Sequence, residues 1–402
     1  MVVPDKQTAL REKLRQAQEL LAELDLDLWL IFVRESDLLP DPALEMVVGT
    51  HVTWQTAFLV PARGETVALV GSLDRANMEA EGVFDRVVGY LEGIQQPLRE
   101  ELQRLAPRQV AIDYSVDSEI ADGLTHGMYL SLLRILDGTP FAARLVSAEE
   151  LISRLRGRKT PAETSRMRAA VAATLELLTE AQGFIAPGRT EQEIAEFLAA
   201  RMRARGLPPA WAADHCPAVF SGPETAGAHA APTARRVEPG HVVNIDMGVR
   251  VEGYCSDLQR TYYVPRAGEL EAPPEVRRGL ATIVAAISLA AARLAPGVPG
   301  HEVDAVARGH IVEAGYAEYP HALGHQIGRQ AHDGAGLLAP IWERYGRRPF
   351  LPLELGQVYT LEPRLTVPGH GIATIEEMVQ LTPTGCDWLG PRQEEIWLTA
   401  RG

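Results

Sequence analysis

Five places in the 402-residue sequence set chemically capable side chains among apolar neighbours. In Val242-Val-Asn-Ile-Asp246 a carboxylate ends a strand-like run, and eleven residues on, past Gly248 and Gly253, Asp257 sits in what reads as the returning strand. A buried acid needs a cation or several donors. If the two strands pair as a hairpin, side chains of matching parity share a face and the two acids converge; in the competing reading Asp257 merely starts a turn or pairs with Arg260. His321-Ala-Leu-Gly-His325-Gln-Ile-Gly-Arg-Gln-Ala-His332 holds three imidazoles in twelve residues, with Gly324 and Gly328 between them. Glycines let a backbone approach an ion or substrate closely. Glu362 in Tyr359-Thr-Leu-Glu-Pro363 and Glu376 in Ala373-Thr-Ile-Glu-Glu-Met-Val379 each follow apolar residues, where an uncompensated acid is unfavourable. Alternation at period two turns the adjacent Glu377 away from Glu376.

Together Asp246, Asp257, Glu362 and Glu376 bring four negative charges, and His325 brings one neutral nitrogen. Two divalent cations would balance the carboxylates. An oxygen-rich set with one imidazole suits Mn²⁺ better than a structural zinc, with Co²⁺ and Zn²⁺ as the alternatives. Two metals roughly 3.5–4 Å apart lower the pKa of the water between them and stabilise the oxyanion of a tetrahedral intermediate. That is hydrolytic chemistry.

The elements that must position these groups fall into two parts. Leu10, Leu14, Ala17, Leu20, Leu21 and Leu24 recur at helical spacing before the compact strand-like run Leu28 to Val33. Further runs at Ala57–Val60, Val67–Val70 and Val110–Ile112 alternate with helical stretches such as Leu98–Leu105, the pattern of a small α/β domain. Arg154-Leu-Arg-Gly-Arg-Lys-Thr-Pro161 interrupts it, and Thr160 can cap a helix that starts at Pro161. The reading therefore divides the chain into residues 1–155 and 156–402. In the second part a helix from about Glu191 opens with a capping box, Thr190 with Glu193. Strands are expected at Val242–Met247, Tyr254–Val264, Val358–Leu361 and Ala373–Leu381, and helices at Glu275–Leu294 and Glu302–Ala314.

Composition narrows the function classes. With 46% hydrophobic and 23% charged residues the chain is globular, neither low-complexity nor disordered. A net charge of −14 and only three lysines, Lys6, Lys13 and Lys159, leave no basic stripe for nucleic acid. Cys216, Cys255 and Cys386 are too few and too scattered for a disulfide framework or a thiolate metal site. The opening residues lack the apolar stretch of a signal peptide, and the most apolar later run, Ile283 to Ala292, is too short to span a bilayer. The expectation is a cytoplasmic protein with no membrane partner.

The order Asp246, Asp257, His325 within an HxxxH segment, Glu362 and Glu376 resembles the M24 metallopeptidases of the pita-bread fold, in the Xaa-Pro aminopeptidase and prolidase branch. The resemblance covers essentially the whole chain. It implies an N-terminal creatinase/prolidase-like α/β domain over 1–155 and an α+β pita-bread (creatinase/aminopeptidase-like) catalytic domain over 156–402. It implies that Asp246, Asp257, His325, Glu362 and Glu376 bind the metal pair, that Glu362 also shuttles a proton, and that His229, His321 and His332 are accessory catalytic histidines. By the same resemblance the substrates are short peptides, trimmed by an aminopeptidase or dipeptidase, and the protein is a homodimer.

Two departures bear on specificity. Arg364 stands after Glu362-Pro363 where the family usually has Gly, and Thr374 stands two residues before Glu376 where proline-directed enzymes usually carry Arg. Arg344, Arg347 and Arg348 occupy the region where prolidases place an arginine that grips the substrate carboxylate. An arginine fork reads a carboxylate bidentately, so a substrate with a free carboxylate is favoured, and a carboxypeptidase on the same scaffold is the alternative. A creatinase-like hydrolase would lack the metal ligands, methionine aminopeptidase lacks the N-terminal domain, and an inactive peptide-binding module would have lost ligands that are present here.

Overall fold

The computed structural model describes residues 5–116, 118–225 and 231–399, and the chain forms two compact units, Met1–Arg156 and Gly157–Gly402. Among the described residues no helix is long and apolar enough to cross a membrane.

In the first unit six strands form one sheet: β1 Leu28–Val33, β2 Thr56–Pro61, β3 Val67–Gly71, β4 Arg86–Tyr90, β5 Val110–Ile112 and β6 Leu145–Ser147, in the order β4-β3-β2-β1-β5-β6. Strand β2 runs antiparallel to both its neighbours, and the other pairings are parallel. The wholly apolar β1 is explained by burial on both faces: Trp29, Ile31 and Val33 enter one core cluster and Leu28, Leu30 and Phe32 the other. Six helices accompany the sheet: α1 Lys6–Glu23, α2 Leu44–Val47, α3 Arg75–Glu81, α4 Gln95–Leu105, α5 His126–Leu136 and α6 Glu149–Gly157. Helix α1 starts where the Asp5 carboxylate accepts from Thr8 N, and it buries Leu10, Leu14, Ala17, Leu20 and Leu21.

The second unit opens with α7 Pro161–Phe184 and α8 Glu191–Ala204, each begun by a complete capping box, Thr160 with Glu163 and Thr190 with Glu193. Strands β7 Ala218–Ser221, β8 Val242–Met247, β11 Leu258–Tyr263 and β19 Trp397–Leu398 form a sheet in the order β19-β11-β8-β7. Between β8 and β11 the chain makes a small ribbon, β9 Arg250–Val251 and β10 Tyr254–Cys255, turned at Glu252 and Gly253, both with positive φ. Helices α9 Pro274–Arg293 and α10 Gly300–Glu313 follow. The remaining strands are β12 Gly324–His325, β13 Leu337–Leu338, β14 Val358–Leu361, β15 Arg364–Val367, β16 Gly371–Thr374, β17 Glu377–Thr382 and β18 Gly385–Trp388. They pair as β12-β13, β15-β16 and β14-β17-β18.

Parity on β8 organises this unit. Val243, Ile245 and Met247 enter the core cluster that holds the α7 and α8 residues Leu177, Leu178 and Leu198. Asn244 and Asp246 consequently face the other way, where the Asn244 amide donates to Ile372 O at 2.6 Å.

Two expected strands are broken. Tyr254–Val264 is interrupted at Ser256 and Asp257, and Ala373–Leu381 at Ile375 and Glu376. Each break leaves one of the candidate acids outside the regular ladder.

Candidate metal centre and peptidase site

Strand β11 lies antiparallel to β8 with Gln259 opposite Asp246 and Thr261 opposite Asn244. Asp257, just before β11, lies close enough to Asp246 for the two charges to act on one another. Arg260 does not pair with Asp257: its fully buried guanidinium meets Glu377 at 3.0 Å, which confirms that Glu377 points away from Glu376. Glu376 reaches the β11 edge through its own N–H, which donates to Gln259 O at 3.2 Å. Glu362 follows β14, and its N–H donates to Leu323 O at 2.8 Å.

His325 N–H is anchored on Thr360 Oγ1 at 3.1 Å, and its Nδ1 lies 3.2 Å from Gln326 O. A proton on Nδ1 satisfies that carbonyl and frees Nε2. Nε2 lies 3.3 Å from Glu362 Oε1 and 3.8 Å from Asp257 Oδ2. Asp257, His325 and Glu376 each present a ligand atom, all within 4.8 Å of one another. Glycine at 324 serves strand packing: a Cβ there would come within 1.9 Å of Thr360 O.

The electrostatics of this cluster are those of too many acids in too little solvent. Burial pushes Asp246 up to about 8, with Glu362 adding to the rise. Burial, then Asp246 and Glu362, hold Asp257 well above the usual carboxylate range, and burial, Asp257 and Glu362 do the same to Glu376. Burial raises Glu362 as well, but in the metal-free cluster the contacts with His325, His321 and Thr360 together bring it below its ordinary value. Among the described residues, Asp246 Oδ1 and Glu376 Oε1 are buried with no hydrogen-bond partner. Orphaned acceptors beside these carboxylates and an imidazole nitrogen have the chemistry that holds divalent cations, with the ligand atoms of Asp257, His325 and Glu376 grouped closely enough to share one.

His321 is half-buried, and its Nδ1 lies 2.8 Å from Ala322 O. Burial lowers its pKa below the ordinary 6.5, against the attraction of Glu362. Its loop is held by α10, where Arg308 Nη1 donates to Tyr319 O at 2.6 Å and Nη2 to His321 O at 2.7 Å. Asp304 on the same helix pairs with that guanidinium at 2.7 Å and accepts from Leu323 N at 3.1 Å. His332 packs edge-on against His325, ring centroids 4.3 Å apart. His229 lies outside the described residues.

Sequence reasoning missed a tier of neutral side chains around the acids. Gln259 Nε2 donates to Glu376 Oε2 at 3.0 Å and approaches Glu362 Oε2 at 3.5 Å, while Thr374 Oγ1 donates to Gln259 Oε1 at 3.0 Å. Thr360 Oγ1 donates to Glu362 Oε1 at 3.2 Å. Arg344, Arg347 and Arg348 are all exposed, and Arg344 donates to Pro320 O and lies over the rings of Trp342 and Tyr345.

The family model "Metallopeptidase family M24" matches residues 165–383, which contain all five candidate ligands. The chain belongs to metallopeptidase family M24. An uncharacterised peptidase of Staphylococcus aureus is 30% identical over 335 residues, 83% of this chain and 87% of that one. The probable dipeptidase PepE of Mycobacterium bovis is 29% identical over 339 residues, 82% of each. A solved structure, the Xaa-Pro dipeptidase from Bacillus anthracis, superposes with a TM-score of 0.73 at 24% identity, covering 97% of this chain and 99% of that one. This M24 protein is a peptide-bond hydrolase, and its fold is the expected one: an α/β N-terminal part followed by an α+β pita-bread part.

Proposed function

We propose that this M24 hydrolase is a dinuclear, Mn²⁺-dependent exopeptidase for short peptides, of the Xaa-Pro dipeptidase and aminopeptidase type. Asp246, Asp257, His325, Glu362 and Glu376 would hold the ions. The observation that carries the reading is the pair of orphaned buried oxygens, Asp246 Oδ1 and Glu376 Oε1, in a cluster of four acids that His325 Nε2 enters. The printed names of the relatives, a probable dipeptidase and an Xaa-Pro dipeptidase, support the substrate class. Three free cysteines agree with a cytoplasmic setting, and the homodimer rests on the family resemblance.

The bound ions would supply Lewis acidity, lowering the pKa of water and polarising the scissile carbonyl. The chain's own residues do the rest. Glu362, whose Oε1 lies 3.3 Å from His325 Nε2, takes the proton from water and returns it to the departing nitrogen. His321, kept neutral by burial, can donate to or accept from the reacting groups. His332, against His325, stands to hold the substrate carbonyl, a role that the family resemblance also gives to His229. Thr360 and Gln259 fix the orientations of Glu362 and Glu376.

The test is a panel of dipeptides, tripeptides and end-blocked peptides assayed with chelator and with added Mn²⁺. Mn²⁺-dependent release of the first residue from unblocked di- and tripeptides is expected. Cleavage of amino-blocked but not carboxyl-blocked peptides would replace this reading with a carboxypeptidase, and no cleavage of any would remove it.

A further inference from the structure

The edge of β11 that faces away from β8 is completed in three different ways. Alternate residues of a strand aim their backbone groups at opposite edges, and on β11 those of Gln259, Thr261 and Tyr263 meet partners outside β8. Gln259 O accepts from the N–H of Glu376 at 3.2 Å, and Tyr263 O accepts from Thr399 N–H at 3.0 Å, where β19 runs parallel to β11. Between them Thr261 is met by a side chain instead of a strand. Its N–H donates to Gln393 Oε1 at 2.9 Å, and its carbonyl accepts from Gln393 Nε2 at 2.7 Å. A primary amide offers an acceptor oxygen and an N–H donor together, so Gln393, 2% exposed, stands in for a strand residue.

From Gln393 a continuous path of hydrogen bonds leads to Glu376. Gln393 N–H donates to Glu377 Oε1 at 2.8 Å, and Glu377 Oε2 accepts from Arg260 Nη2 at 3.0 Å. Arg260 Nη1 then donates to the carbonyls of Gln259 and Glu376, each at 2.9 Å. The main chain of Glu376, which lies outside the regular ladder, is thus gripped on both sides: its N–H by Gln259 and its carbonyl by Arg260. A buried guanidinium tolerates no loss of its partners, so a shift of the Glu377 carboxylate must carry Arg260 and the Glu376 carbonyl with it. We propose that Gln393 is a positioning residue for the metal centre, fixing the main chain of Glu376 through Glu377 and Arg260. That Glu376 binds an ion is a premise taken from the function proposed above. The C-terminal segment is thereby a working support of a site whose last ligand lies seventeen residues before Gln393 in the chain.

The experiment compares the unsubstituted protein with Gln393→Met, which keeps the length of the side chain and removes the amide. Gln393→Asn, an amide one methylene too short to meet both groups of Thr261, is the second variant and carries the same predictions should the first fail to fold. Without metal, hydrogen exchange of the peptides spanning Thr261 and Glu376 is followed by mass spectrometry. Mn²⁺ affinity is then measured by competition with a chelator, and hydrolysis of a dipeptide over a series of Mn²⁺ concentrations. Exchange is expected to quicken at Glu376 as well as at Thr261, and Mn²⁺ to bind roughly 10-fold more weakly, as when an outer partner of a metal ligand is lost. Saturating Mn²⁺ should restore kcat with KM unchanged, which a general loss of stability would not produce. Unchanged Mn²⁺ affinity, or faster exchange confined to Thr261, overturns the proposal and leaves the metal centre standing. If the unsubstituted protein binds no Mn²⁺, the metal reading fails and Gln393 fails with it.

Discussion

Glu376 and Glu362 are held in part by an amide rather than by charge. Gln259 is 4% exposed and donates to one carboxylate while approaching the other, and Thr374 fixes its carbonyl end. Hydrogen bonds to metal-ligating carboxylates orient them, and removing such partners typically costs roughly 10–100-fold in metal affinity. Gln259→Leu is expected to weaken Mn²⁺ binding by about that factor, measured by competition with a chelator, with the far-ultraviolet dichroism unchanged. An unaltered affinity would show that the amide merely fills space. The acids themselves were legible because each interrupts an apolar run, and His325 because glycines and other histidines surround it. Gln259 and Thr360 were not legible, because a neutral polar residue in a strand carries no penalty that the sequence makes visible.

At the level of elements, the expected helices and most strands came from periodicity and caps, and the structure bears out the Thr190–Glu193 capping box and the Thr160 cap, which is itself a full box with Glu163. What periodicity could not supply was the pair of breaks at Asp257 and Glu376, since an acid pulled out of a ladder keeps the local composition of a strand. Nor could it supply the role of α10, whose Arg308 carries the Tyr319 and His321 carbonyls while paired to Asp304, 0% exposed. Stripping one partner from a buried ion pair leaves an uncompensated charge, at a cost of about 3–5 kcal/mol. Arg308→Met should lower stability to chemical denaturation by about that amount and reduce kcat by loosening the His321 loop. Loss of stability with full kcat would separate the helix from the site.

On the scale of the whole molecule the N-terminal unit carries its own pH dependence. Asp41 and Asp113 are both 2% exposed and face one another: Asp41 accepts from Ala43 N at 2.8 Å and Asp113 from Trp29 Nε1 at 2.5 Å, and a protonated Asp113 can donate to Asp41. Burial raises Asp41 to about 6 against the hydrogen bonds from Ala43 N and Asp113 and the charge of Arg156, and burial together with the Asp41 charge raises Asp113 well above the usual carboxylate range. Acids with folded pKa values above their unfolded ones bind more protons when folded, so their effect on stability worsens as pH rises from about 4 through about 6 and beyond. Unfolding of this unit, followed across pH 4–8, should therefore show stability falling with pH, and Asp113→Asn should flatten the dependence. A stability that rises across the same window would refute the burial account. The central claim concerns the other unit and is tested by counting ions. Protein purified without chelator and loaded with Mn²⁺ should carry about two metal ions per chain by mass spectrometric elemental analysis, and Asp257→Asn should carry fewer and lose peptide hydrolysis. An unsubstituted protein that binds no divalent ion, or an Asp257→Asn variant with full occupancy and undiminished turnover, would contradict it.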